Sequence, residues 1–139
     1  MIEYNYEDVV FQLNNEQLTT HWIEEIIKNE KRKMGEISYI FCSNEKILEI
    51  NKQYLNHDYY TDIITFDYCE NKIISGDIFI SIETVKENSL EYQVDFQEEI
   101  NRVMAHGILH LCGYGDKTES EKKKMREKEE FYILKMKAY

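Results

Sequence analysis

The chain has 139 residues, 42% of them hydrophobic and 13% aromatic. That length suits one domain, and the apolar content excludes a disordered chain despite 32% charged residues. Seventeen basic against 27 acidic side chains leave a net charge of −10, which excludes a whole-surface electrostatic grip on nucleic acid. The imbalance is uneven, because residues 117–139 carry 8 basic and 5 acidic side chains while residues 1–116 carry 9 and 22. Any contact with a polyanion is therefore expected first in the C-terminal segment, although Lys122-Lys123-Lys124 reads most simply as a solvated helix face. No apolar run approaches the length of a membrane span. Met1-Ile2-Glu3-Tyr4 lacks the basic and apolar regions of a signal peptide, so Cys42, Cys69 and Cys112 are expected to be reduced thiols in a cytoplasm.

The pattern predicts nine elements in the order βαβαββααα. Residues 2–6 alternate as a strand does. Asn14 or Asn15 caps a helix to about residue 33, with Leu18, Trp22, Ile26 and Ile27 on one face and Gly35 as its stop. Residues 36–42 form a second strand, and Ser43 or Asn44 caps a helix carrying Ile47, Leu48, Ile50 and Tyr54. Residues 61–66, β-branched and aromatic, form a third strand, and residues 76–82 a fourth. The short polar link near Glu70-Asn71 allows these two to pair antiparallel. Helices follow over residues 83–92, from Phe96 to about Cys112 with Asp95 as cap, and from Thr118 or Ser120 to Lys137. No proline and no Pro/Gly/Ser linker interrupts the chain. The expected fold is α+β, a small mixed four-stranded sheet with packed helices.

The helix from Phe96 stands apart. Val103, Met104, Ala105, Ile108, Leu109, Leu111 and Cys112 cover nearly its whole circumference, so it belongs in the core. His106 and His110 interrupt that surface. Four residues apart, their imidazoles share one face and can reach one metal ion at about 2.0–2.1 Å per Zn–N bond. Gly113 ends the helix, and Asp116, just past the turn, supplies a carboxylate that completes a three-ligand set. Three protein ligands leave a fourth position for water, the arrangement of a catalytic zinc. A bare histidine pair is more often a satisfied feature of a core. Here the otherwise apolar helix, the immediate stop and the following carboxylate favour ligation. Cys112, about 200° around the helix from His110, faces away from such a site and reads as a core cysteine.

The stretch from His106 to Tyr114, with Asp116, resembles the YbeY family of bacterial endoribonucleases and ribosomal RNA maturation factors, whose motif is H-G-x-L-H-L-x-G-Y-x-H. Seven fixed positions match without a gap. Asn51, Tyr54 and Thr61-Asp62-Ile63-Ile64-Thr65-Phe66 are similar to its N-x-x-Y-R…T-D-V-L-S-F block. Gly76-Asp77-Ile78-Phe79-Ile80-Ser81 is similar to its G-D-I-x-I-S strand. Glu99, Met125 and Glu129 also fall where the family has them, and the first thirty or so residues match weakly.

The resemblance implies a single domain over residues 1–139, with a fold like that of zinc metalloproteases and the metal helix at the floor of a cleft. It implies a metal-dependent endoribonuclease that cuts single-stranded RNA in ribosomal RNA maturation. Its expected cofactor is one divalent ion, Zn2+ first, on His106, His110 and Asp116. Its expected partners are ribosomal RNA and the small ribosomal subunit. Thr61 and Asp62 are expected at the cleft edge, orienting substrate or capping the strand end.

Two departures from the family pattern stand out. The third ligand is Asp116 instead of histidine, which makes bound water less acidic and hardens the ligand set. The arginine after the tyrosine is Leu55, a loss that Lys52, His57 or Lys117 would have to offset. That loss and the acidic surface favour an alternative: a ribosome-assembly or RNA-binding factor whose metal is mainly structural. A metallohydrolase for some other substrate is a further alternative. Gly107 occupies the place of the glutamate base in the protease motif H-E-x-x-H, which argues against peptidase activity.

Overall fold

The computed structural model describes residues 1–55 and 61–139. Its elements are β1 (Ile2–Tyr6), α1 (Glu16–Asn29), β2 (Lys33–Cys42), α2 (Asn44–Tyr54), β3 (Ile63–Asp67), β4 (Ile73–Ser81), α3 (Ile82–Glu91), α4 (Phe96–Leu111) and α5 (Glu119–Lys137). This is the expected α+β order. The four strands form one mixed sheet in the order β1-β2-β4-β3. β1 and β2, and β2 and β4, run parallel; β3 closes the far edge antiparallel to β4, with Ile64 opposite Phe79 and Thr65 opposite Ile78.

Alternation along the strands feeds two apolar layers. On one face Ile37, Tyr39 and Phe41 of β2 and Ile74, Ile78 and Ile80 of β4 meet α1 and α4. On the other, Cys42 and Ile64 meet Ile47 and Ile50 of α2. Tyr4, Tyr39, Phe41 and Tyr6 stack across β1 and β2 with centroids 5.5–6.2 Å apart. Trp22 is fully buried, and its indole N–H donates to the Tyr132 carbonyl at 2.8 Å, joining α1 to α5.

Several boundaries differ from the sequence reading. α1 ends at Asn29, four residues earlier than expected, because Lys31 and not Gly35 makes the stop. Lys31 takes φ 63°, its N–H bonds the Lys28 carbonyl and the Arg32 N–H bonds the Ile27 carbonyl, both at 3.0 Å. This is a Schellman closure built on a lysine. Gly35 lies instead inside β2, beside a register shift between Met34 and Ile37. A Cβ there would come within 2.2 Å of Ser75 Oγ and 2.9 Å of the Ile74 carbonyl, so close approach to β4 demands glycine. β4 begins at Ile73 and not at Gly76. β3 begins at Ile63, leaving Thr61 and Asp62 just ahead of it. Asn15, Ser43 and Thr118 cap their helices through side-chain bonds, Thr118 in a reciprocal pair with Glu121. Asp95 occupies the cap position of α4 without a side-chain cap bond.

α4 carries ten buried residues and lies against β3 and β4. Gly107 makes that approach possible: a Cβ on it would lie 3.1 Å from both Ile63 Cδ1 and Ile78 Cγ2. Gly113 then closes the helix in the left-handed region at φ 108°, with its N–H on the His110 carbonyl and the Tyr114 N–H on the Leu109 carbonyl. No helix among the described residues is long and apolar enough to cross a membrane.

Candidate active site

One stripe of α4 stays polar. Glu99, Arg102, His106 and His110 follow one another at spacings of three, four and four, so they share a face. Glu99, Arg102 and His106 of that face line a cavity of about 440 Å³ that α5 and the turn after α4 help to enclose. Thr61, Asp62, Asp116, Lys122, Arg126 and Glu129 complete much of its wall. A smaller recess of about 140 Å³ adjoins it, formed by Ile63, Thr65, His106, His110 and Asp116. Its composition follows from the strand pleat, since Ile63 and Thr65 share the β3 face that meets α4.

His106 is half-buried and held from two sides. Its Nδ1 lies 2.8 Å from Glu129 Oε2 on α5, and its Nε2 lies 3.3 Å from Asp116 Oδ2. Burial opposes its protonation, but the Glu129 hydrogen bond and the charges of Glu129, Asp116 and Asp62 outweigh that and raise its pKa. Glu129 is buried and shared: its other oxygen lies 3.6 Å from Arg102 Nη1. Arg102 also meets Glu130 Oε1 at 2.7 Å and Glu99 Oε1 at 3.5 Å. The last is a charge contact without an aligned hydrogen bond, so Glu99 Oε1 remains buried and unpartnered. Burial raises the Glu99 pKa, with Asp62 and Glu129 adding to the effect and Arg102 opposing it.

Asp62 sits both at the strand end and at the edge of the cleft. Its carbonyl accepts from the Ser81 N–H at 2.9 Å, securing the strand end. Its carboxylate lines the cavity and accepts from Asn88 Nδ2 at 3.4 Å. Burial raises its pKa, while His106 pulls it down.

The three sequence-predicted ligands, His106, His110 and Asp116, thus share one recess. Among the described residues no group of three His, Cys, Asp or Glu side chains stands as a ready-made metal site. The direct His106–Asp116 contact joins two of the expected donors to each other. In chemistry the set still suits a divalent ion: two imidazoles and one carboxylate match a catalytic zinc. Glu129 on Nδ1 leaves Nε2 facing the recess, as a ligating histidine requires. Cys112 is buried in the apolar core, as expected, and all three cysteines are free.

Of the cations considered in place of the arginine at position 55, Lys52 and Lys117 are exposed and line neither cavity. His57 lies outside the described residues, and Leu55 is exposed and also outside both cavities. One guanidinium in the cleft belongs to Arg102, which the sequence reading missed. Its spacing of four before His106 was the available signal, and the apolar majority of the helix obscured it. Lys122, from the lysine run taken as a solvated face, and Arg126 also reach the cleft.

The family model described as Endoribonuclease YbeY matches residues 1–137. The chain is 52% identical over 130 residues to Endoribonuclease YbeY of Flavobacterium johnsoniae, covering 94% of this chain and 93% of that protein. It is 52% identical over 124 residues to Endoribonuclease YbeY of Bacteroides fragilis, covering 89% of each. Among solved structures, that of TM1509 from Thermotoga maritima matches with a TM-score of 0.69 and 30% identity. The match covers 98% of this chain and 89% of that one.

Proposed function

The chain belongs to the YbeY family of endoribonucleases, and on that footing we propose that it cuts single-stranded RNA with the aid of one divalent metal ion, in ribosomal RNA maturation. The observation that carries this reading is the convergence of His106, His110 and Asp116 on one recess that opens beside a cleft lined by Arg102, Lys122 and Arg126.

His106, through Nε2, His110 and the Asp116 carboxylate would hold the ion, Zn2+ in first place. When bound, a zinc ion supplies a Lewis acid and lowers the pKa of a coordinated water toward about 7. The chain's own residues do the rest. Glu129 fixes the His106 ring. Arg102, Lys122 and Arg126 place positive charge where a phosphodiester backbone would lie, in a protein that is otherwise acidic. Thr61 and Asp62 border the strand path. Arg102 brings a guanidinium to the cleft, paired there with Glu99, Glu129 and Glu130, and in this reading it acts with Lys122 and Arg126 in place of the arginine that Leu55 replaces. Association with the small ribosomal subunit, in the cytoplasm, is part of the same proposal.

Gly107 bears against a peptidase reading. A glutamate there would have to push its side chain between Ile63 and Ile78 at the helix–sheet contact.

The deciding experiment uses purified protein of known metal content, incubated with single-stranded RNA beside an Asp116→Ala variant and a chelator-treated sample. Cleavage by the metal-bound protein alone is expected. Cleavage that survives both treatments would overturn the metal-dependent reading. An inactive but metal-loaded protein that binds small ribosomal subunits would favour an assembly factor instead.

A further inference from the structure

Glu99 is not explained by the metal recess. It lies seven residues before His106 on α4, about 10 Å along the helix axis at 1.5 Å per residue. It is absent from the lining of the recess that holds His106, His110 and Asp116. Yet it lines the larger cavity while only 4% exposed, and among the described residues Oε1 has no hydrogen-bond partner. A buried acceptor left without a partner is costly unless something fills the need. Arg102 does not fill it, because its Nε approaches at 3.5 Å without alignment.

The surroundings have the makings of a base pocket. Tyr92, just past the end of α3, is 61% exposed and borders the same cavity. Asn88, one turn earlier, borders it too. Aromatic rings stack bases with little regard to sequence, whereas buried polar groups choose among them by their Watson–Crick edges. An ionised carboxylate only accepts hydrogen bonds, and it has two oxygens with which to do so.

We propose that Glu99, Asn88 and Tyr92 form a pocket for a nucleobase beside the cleaved phosphodiester, and that Glu99 selects guanine, the base that offers two adjacent N–H donors. The proposal rests on the RNA-cleaving reading above and adds a substrate preference to it. Raised pKa notwithstanding, Glu99 needs only its acceptor form for this role, and Arg102 beside it favours that form.

The test is fluorescence anisotropy on the full-length protein as purified. The probes are phosphorothioate-linked uridine RNA hexamers, chosen to slow cleavage, each carrying one guanosine, inosine or adenosine. The guanosine hexamer should bind about tenfold tighter than the adenosine one, the effect of one hydrogen bond to a charged group. Inosine, which lacks the 2-amino donor, should fall between. Glu99→Gln should erase the guanosine preference, and Tyr92→Ala should weaken all hexamers by a similar factor. Equal affinity for every hexamer would overturn the base pocket while leaving RNA binding intact. So would a preference that persists in a folded Glu99→Gln protein. Should that variant misfold, Tyr92→Ala, altered at an exposed side chain, decides: unchanged affinities would overturn the pocket. Absence of binding to any hexamer by the unaltered protein would overturn the RNA reading together with the pocket.

Discussion

Glu129 Oε2 stands 2.8 Å from His106 Nδ1, although 23 residues separate them and they belong to different helices. The contact fixes which imidazole nitrogen faces the recess, because the other nitrogen is engaged. Glu129→Gln keeps the shape and removes the charge. We expect metal affinity to fall about 10–100-fold, the usual cost of losing such a partner. Competition with a chromophoric zinc chelator measures it, and an unchanged affinity would deny Glu129 this role.

Asp116 permits a second comparison. Asp116→Ala should lower the bound metal well below one ion per chain. Asp116→His, which restores the residue of the motif the chain resembles, should retain it. Elemental analysis of both variants after identical purification gives the answer. Equal metal content in all three proteins would place the third donor elsewhere.

Gly76 lies on β4, where an added Cβ would meet the Phe66 carbonyl at 2.4 Å. That oxygen belongs to the backbone of β3 and cannot swing aside. Gly76→Ala should therefore force the β3–β4 pair apart and destabilise the protein by about 1–3 kcal/mol. Urea titration followed by circular dichroism would show it as a lower midpoint, and a loss under a few tenths of a kcal/mol would contradict the clash.

Glu30 predicts a pH dependence. Burial works against its charge, but hydrogen bonds from Tyr114 and Tyr132 and the ammonium of Lys128 more than offset it, and its pKa is lowered. A carboxyl held below its unfolded value adds stability at pH above that value. It loses the contribution as pH falls through the folded value. Glu30→Gln should lower the melting temperature at neutral pH and narrow the gap from the unaltered protein in acid. A gap of constant size across pH 3–7 would speak against the linkage.

The sequence made the element order legible because apolar spacing switches cleanly between strand and helix periods. Ile37, Tyr39 and Phe41 alternate, whereas Trp22, Ile23, Ile26 and Ile27 recur by turns. Boundaries were harder where unusual residues took special backbone angles. Lys31 made a turn that glycine usually makes, and Gly35 was retained for a close contact that only the neighbouring strand reveals. The recess was visible in the spacing of His106, His110 and Asp116, since all three lie within eleven residues of chain. Asn88, Tyr92 and Arg126 were not, because they lie outside α4 and meet it only through the packing of α3 and α5 on it. Glu99 stood out only through its place in the family pattern, and Arg102 not at all, because a helix dominated by apolar side chains drew attention to its core.

The turn that delivers Asp116 is moored far from the recess. Tyr114, two residues before it, donates its hydroxyl to Glu30 at 2.6 Å, just past the end of α1, with Lys128 above its ring at 5.5 Å. A shortened form of the protein that starts after the first helix would keep every proposed donor and still lose the anchor that aims one of them. The first thirty or so residues, where likeness to the motif blocks is weakest, thus moor the turn that carries Asp116 from behind.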